Sequence, residues 1–453
     1  FSFAEFGMFA AMTYSLYKPF IDNDRVRIAG IYQFFHKIYR YMAYAMLAIG
    51  VATIFLLRYI VNSEIPLNEV IFYYVIYLLS TVIYNMFIFR SYIFIADQKK
   101  YIFSYAMMVF DCGSLSAGVV ILYLTGNYAL FLSNIIVRNV GISLYLNYKV
   151  KKEYPYVNDY GEIDKEEKRG IVANIKDLFI FKLSGTILNS TDNIFISTLI
   201  GTVYVGYYSS YQLIVAGVTA LVDSFFEALE ASVGNMLVAN DNTANQRIYM
   251  IINRLGMIII GFCSICLLVL IQDFIGLWMG KDICLDMRIV YIIIINFFLS
   301  KARSTADIFR EAAGVFDRIK PAVIIKAILN IILSTVLGIY FGMQGILIAT
   351  GISILVTTQW YTPVLIKDRF EHNFLWKDLQ LQISGVLTAL LGAFLISEVM
   401  KHVDGSEWHY FFLKALLCAV LTGAYYLIYL LLHVEERQAV WNLLKNYVNS
   451  LKN

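Results

Sequence analysis

The chain has 453 residues, of which 59% are hydrophobic and only 15% charged, with a mean hydropathy of +0.66 and a formal net charge of +3. A soluble globule needs about a quarter of its residues charged to cover a water-facing surface, so the composition excludes one, argues against nucleic-acid binding and implies a polytopic all-α membrane protein. Net charge says little by itself, because the placement of Lys and Arg is what orients such a chain.

Taken in order, apolar runs begin near residues 1, 41, 67, 101, 127, 176, 204, 249, 288, 321, 343, 379 and 409, which makes thirteen spans with the first one short. Each of the others is long enough to cross a roughly 30 Å hydrocarbon core as a helix. The opening "FSFAEFGMFAAMTYSLYKPF" lacks the basic n-region, uninterrupted apolar stretch and cleavage site of a secretory signal. It is expected to be the inner part of a span that returns to the cytoplasm at Lys18.

Connections alternate in charge. "YKPFIDNDRVRIAGIYQFFHKIYR", "ADQKKY", "YKVKKEYPYVNDYGEIDKEEKRGIVANIKD", residues 301–320, "IKDRFEHNFLWKD" and the C-terminal tail hold most of the 36 basic residues, whereas "NSEIPLN", "TGNY", "GTVY" and "FGMQ" hold none. The basic set is therefore expected in the cytoplasm, with the C-terminus inside. The longest external loop, "QDFIGLWMGKDICLDM", is too short for a catalytic domain, which argues against a membrane-embedded glycosyltransferase or polymerase. In the tail, Val440, Leu444, Tyr447 and Leu451 share one helical face, the pattern of an amphipathic helix on the cytoplasmic membrane surface.

The polar segment 149–175 reads as a cytoplasmic linker between an N-terminal lobe, 1–148, and a C-terminal lobe, 176–367; two extra spans within 368–433 and the tail 434–453 follow. A duplication relates the lobes. "FAEFGMFAAMTYSL" with "IDNDRVRIAGIYQFFHKIYR" resembles "FEALEASVGNMLVANDNTANQRIYMIINRL" at an offset of 222, and "LYLTGNYALFLSNIIVRNVGISLYLNY" resembles "GIYFGMQGILIATGISILVTTQWY" at an offset near 217. The offset contains an even number of crossings, so both copies are expected to insert the same way round. The first copy should start before residue 1, giving fourteen spans in the intact protein and about 12.5 here.

Ionisable residues in mid-membrane are costly unless they face a bundle interior or a wet cavity. Lys182, Thr186, Asn189, Asn193 and Ser197 form one helical stripe, with Asp192 beside them, and Asn296, Ser300, Arg303, Asp307 and Arg310 form another. Arg138 and Asp111 lie deep in their spans, and Asp223, Glu227 and Glu230 make an acidic stripe. Two readings stay open for the acids: ion coupling by Asp111, Asp192, Asp223, Glu227 or Asp307, or helix pairing by the same residues. The bases Arg90, Arg138, Lys182, Arg303 and Arg310, with Asn189 and Asn193, suit an anionic substrate, because guanidinium and ammonium groups match phosphate while amides match sugar hydroxyls. The five cysteines and five histidines show no metal-ligand spacing beyond a CxxC, Cys263 and Cys266, on an apolar helix, so neither metal nor cofactor is expected.

"FKLSGTILNSTDNIFISTLIGTVYVGYYSSY", "FIADQKKYI" and "ARSTADIFREAAGVFDRIKP" together resemble the O-antigen and teichoic-acid type polysaccharide-unit flippases of the multidrug/oligosaccharidyl-lipid/polysaccharide exporter superfamily. "FAEFGMFAAMTYSLYKP" is similar to that family's second helix. The resemblance implies two six-helix lobes around a central cleft, two further C-terminal helices, and a location in a bacterial cytoplasmic membrane. It also implies the flipping of an undecaprenyl-pyrophosphate-linked oligosaccharide by alternating access, alongside membrane lipid and the glycosyltransferases or polymerase of the same pathway. Lys182 and Asp192 fall in the family's seventh-helix motif, and Arg303 and Arg310 in its tenth. The competing expectation is a multidrug exporter of the same superfamily, whose site should be dominated by acids and aromatics.

Overall fold

A computed structural model of the chain describes residues 8–61, 65–161, 163–166, 168–172, 191–239, 242–315, 318–403, 405 and 407–432. Lys182, Asn189, the Glu230 side chain and the amphipathic tail lie outside the described residues. Among those described the fold is all helical. Ten segments are long and apolar enough to cross a bilayer.

The chain divides into two compact units, Phe1–Asn189 and Ser190–Asn453. In the first, α1 (Met8–Ile21) turns at Asn23, φ 53°, into α2 (Arg25–Ile60), whose first turn is capped by the Asp24 carboxylate accepting from the Arg27 amide. Next come α3 (Leu67–Ala96), α4 (Lys100–Thr125) and α5 (Tyr128–Glu153), the last capped by Asn127, which accepts from the amides of Ala129 and Leu130. Phe35, Tyr39, Phe89, Phe94, Met12 and Leu16 are fully buried at the centre of this unit. The segment read as a linker folds back onto it: Gln33 donates to the carbonyls of Val157 and Asp159, and Tyr154, Val157, Ile163 and Ile171 join its core.

In the second unit α6 (191–199) leads into α7 (Thr202–Ala239), α8 (Asn242–Trp278), α9 (Met287–Lys301), α10 (Ser304–Ala312), α11 (Lys320–Val356), α12 (Thr358–Ile366), α13 (Phe374–Met400) and α14 (Trp408–Leu432). Helix α11 is two crossings, not one. Gly342, φ 59° and ψ −140°, folds 343–356 back along 320–341. This is the turn expected at "FGMQ", and it brings the apolar segments with ends near 321 and 343 into one hairpin. The approach is close: a Cβ at Gly345 would lie 2.0 Å from the Leu337 carbonyl oxygen. Small residues serve the same purpose on α8, where a Cβ at Gly261 would meet the Tyr426 hydroxyl of α14 at 1.9 Å.

The repeat read from the sequence recurs in side-chain detail. Gly126, which turns α4 into α5 at an offset of 216 from Gly342, also has φ 59°, with ψ 8° in place of −140°. The Asn134 amide donates to the Ser114 hydroxyl at 3.0 Å across the first turn, and the Asn330 amide donates to the Thr350 hydroxyl at 3.0 Å across the second. The positions correspond at the same offset of 216, Ser114 with Asn330 and Asn134 with Thr350, so donor and acceptor are exchanged between the copies. Without water in the hydrocarbon, such amides bond to a neighbouring helix, typically for ~0.6 kcal/mol each.

Candidate functional site

Within the first unit the expected cations separate into one that is locked and one that is open. Arg138 on α5 spends its whole guanidinium locally. Its Nε donates to Asp111 Oδ1 of α4 at 2.6 Å, its Nη2 makes a second contact with the same carboxylate oxygen, and its Nη1 donates to Asn139 at 2.8 Å. Asn139 is itself held by Ser80 of α3. These links tie α3, α4 and α5 together, the helix-pairing reading of Asp111.

Arg90 on α3 is different. Its Nε and Nη1 are buried with no hydrogen-bond partner, and among the described residues no carboxylate pairs with it. The Tyr32 hydroxyl and His36 of α2 stand near it, and its Cζ lies 4.6 Å from the Phe87 ring centre and 5.3 Å from that of Phe89. The Tyr32 hydroxyl is hydrogen-bonded to the guanidinium, and with the ring faces beneath it Nε and Nη1 stay available for an oxyanion.

In the second unit Asp192 and Asn193 sit on α6. The buried Asp192 carboxylate accepts from Thr350 Oγ1 at 3.1 Å and is bonded by the Tyr208 hydroxyl of α7. Thr350 in turn accepts from Asn330. Among the described residues Asn193 Oδ1, Asn330 Oδ1, and Ser334 Oγ one turn beyond Asn330 are buried without hydrogen-bond partners. Sequence reading found Asp192 and Asn193 but not Asn330, Ser334, Thr350 or Tyr208. The signal was present: Asn330 and Ser334 stand at i, i+4 inside an otherwise apolar run.

Of the other charged candidates, Asp223, Asp307 and Arg310 are paired. Asp223 of α7 takes a 2.6 Å hydrogen bond from Lys301, while Glu227 is exposed. Arg310 is buried, with Nη2 on Glu311 at 2.7 Å, Nε 3.4 Å from Asp307 and Nη1 on the Val315 carbonyl. Lys326 of α11 also stands close to Asp307.

Arg303 occupies the break between α9 and α10, 4% exposed, with Nη1 3.7 Å from Asp378 Oδ2 of α13. Asp378 also accepts from the Tyr249 hydroxyl at 2.8 Å and from Asn253 at 3.0 Å. The break leaves the Ala302 carbonyl to accept from Gln382 of α13. Asp378 was hidden to sequence reading inside the basic connection "IKDRFEHNFLWKD", although Gln382 one turn later marks an inward polar face.

The described residues form a multi-pass helical fold whose long apolar segments are of membrane-spanning length. Solved structures of transporters are similar to it in fold. One is "Lipid II flippase MurJ, inward closed conformation", with TM-score 0.63 and 15% identity, covering 93% of this chain and 89% of that one. Another is the "Inward-facing conformation of a multidrug resistance MATE family transporter of the MOP superfamily", with TM-score 0.63 and 12% identity, covering 84% of this chain and 87% of that one. No family model matches the sequence. No curated protein matches it either.

Proposed function

We infer that the chain is a flippase for a polyprenyl-pyrophosphate-linked oligosaccharide, working by alternating access in a bacterial cytoplasmic membrane. The observation that carries this reading is Arg90, a guanidinium buried in α3 with two nitrogens that have no hydrogen-bond partner and no paired carboxylate among the described residues. Such a group is retained at high cost and is of use to a passing phosphate. A fold shared with a lipid II flippase supports the reading. Lys182, Asn189 and Asn193 are retained as proposed cargo contacts on the strength of their sequence pattern, with amides for the glycan, and enzymes of the same pathway supply and consume the cargo.

Asp192 is the proposed coupling carboxylate. An all-oxygen set around a single carboxylate suits a hard monovalent cation or a proton. Flipping that is unaffected by collapse of both sodium and proton gradients would remove this role.

The test uses the full chain in proteoliposomes with a fluorescent undecaprenyl-pyrophosphate glycan. Arg90→Ala is expected to slow flipping at least about tenfold, ~1.4 kcal/mol, with folding unchanged. A normal rate in Arg90→Ala would sink the assignment. The same TM-score, 0.63, to a multidrug transporter keeps a second reading, export of amphipathic cations; dye transport without glycan transport in the same vesicles would favour it.

A further inference from the structure

The second unit holds a cavity of about 560 Å³ between α9, α12 and α13 that the proposed transport path does not use. Its volume lies in the range that encloses a small molecule or part of a lipid. Most of its wall is apolar. Its polar floor is Arg303, Asp378, Gln359 and Gln382. Arg303 is 4% exposed and the two glutamines 8% each, yet among the described residues Arg303 Nε and Nη1, Gln359 Oε1 and Gln382 Oε1 have no hydrogen-bond partner, Nη1 having only the 3.7 Å ion pair with Asp378. Buried polar atoms left this way cost about 1–3 kcal/mol each unless a ligand completes them.

The arrangement of the cavity is that of a lipid in a leaflet. The polar floor sits at the start of α13, beside the loop that carries Lys367 and Arg369. From there the apolar wall runs toward the middle of the helix through Ile383, Val386 and Leu387. Trp360 and Trp376, 54% and 63% exposed, flank the polar end at the depth where tryptophan marks a membrane interface.

The chemistry of the floor selects the headgroup. Arg303 is already faced by Asp378, and the two amide oxygens present negative dipoles, so a multiply charged pyrophosphate is disfavoured. A hydroxyl fits: its oxygen accepts from the guanidinium and its hydrogen goes to an amide oxygen. We propose that the cavity is a binding site for a membrane glycerolipid of the basic-loop leaflet, whose hydroxyl-bearing headgroup bonds Arg303 and Gln359 while its acyl chain lies along Ile383 and Leu387. The occupant is a resident lipid, distinct from the cargo.

The experiment titrates the full-length protein in detergent micelles with bromo-acyl phosphatidylglycerol and reads quenching of tryptophan fluorescence. Saturable quenching is expected at a mole fraction about tenfold below that for bromo-acyl phosphatidylcholine, whose head lacks hydroxyls. Trp360→Phe with Trp376→Phe should abolish it. Gln359→Met should raise the half-saturation point to the phosphatidylcholine level; it removes an oxygen with no hydrogen-bond partner among the described residues, so folding is expected to survive, with the unfolding temperature as the control. Equal quenching by both lipids, or quenching that persists without Trp360 and Trp376, would mean annular lipid only and overturn the site. Relief of quenching by undecaprenyl pyrophosphate but not by unlabelled phosphatidylglycerol would assign the cavity to the cargo and overturn it equally.

Discussion

Arg303 and Asp378 meet 3.7 Å apart inside the second unit with side chains only 5% and 6% exposed, joining the α9–α10 break to the first turn of α13. A pair this deep is held less by its own attraction than by the penalty of separating it. Asp378→Leu is expected to cost about 3–5 kcal/mol because it strands a buried guanidinium. Arg303→Leu combined with Asp378→Leu should cost much less than the two single changes summed. Unfolding of the purified protein followed by intrinsic fluorescence measures this; additive losses would show that the two residues do not depend on each other.

Arg138 and Asp111 yield a different expectation. The arginine is fully engaged with groups of its own unit, so Arg138→Gln and Asp111→Asn should weaken the α4–α5 pairing by about 1 kcal/mol each and be non-additive. Export per folded molecule should change little. If Arg138→Gln folds normally but loses export while Asp111→Asn keeps it, Arg138 contacts the cargo after all.

Crossings, turns and the duplication were legible in the sequence because membrane helices announce themselves by length and apolarity, and a repeat by its offset. The pairing of charges was not. Depth in a span is a one-dimensional quantity, and it gives Arg90 and Arg138 similar standing although one rests on Phe87 and the other is bonded to Asp111. Likewise Asp378 reads as a loop residue until α13 places it opposite Arg303. Helical spacing identifies which residues share a face but leaves open which helix that face meets.

The hairpin glycines separate two kinds of strain. Gly342→Ala meets no atom nearer than Ile200 Cδ1 at 3.9 Å, so its cost is the backbone conformation, φ 59° with ψ −140°, about 1–3 kcal/mol. Gly345→Ala drives a methyl into the Leu337 backbone and should be considerably worse, forcing 320–341 and 343–356 apart. Comparing folded yields and apparent unfolding temperatures checks the order; equal losses would refute it.

A pH dependence is expected at the ends of α3 and α5. The Tyr154 hydroxyl donates to Asp97 at 2.7 Å, and Lys99 lies 2.7 Å from the same carboxylate. Burial, and then the bond to Asp97, raises the Tyr154 phenol above its ordinary 10.0. The hydrogen bond to Asp97 raises the Lys99 ammonium above its ordinary 10.5. Both groups lend stability that is whole below those ordinary values and is lost as pH rises through the higher folded ones. Alkaline unfolding should therefore be blunted in Tyr154→Phe, which has no phenol to ionise; an unchanged alkaline profile would show that the contact contributes nothing.

The turns at Gly126 and Gly342 bear on biogenesis. With one glycine joining 320–341 to 343–356, and only Gly126 and Asn127 joining α4 to α5, there is no slack for one helix of a pair to wait in the bilayer while the other is still being delivered. Each pair must be handed to the lipid as a single folded object, so its buried amides are matched at the moment of entry rather than afterwards.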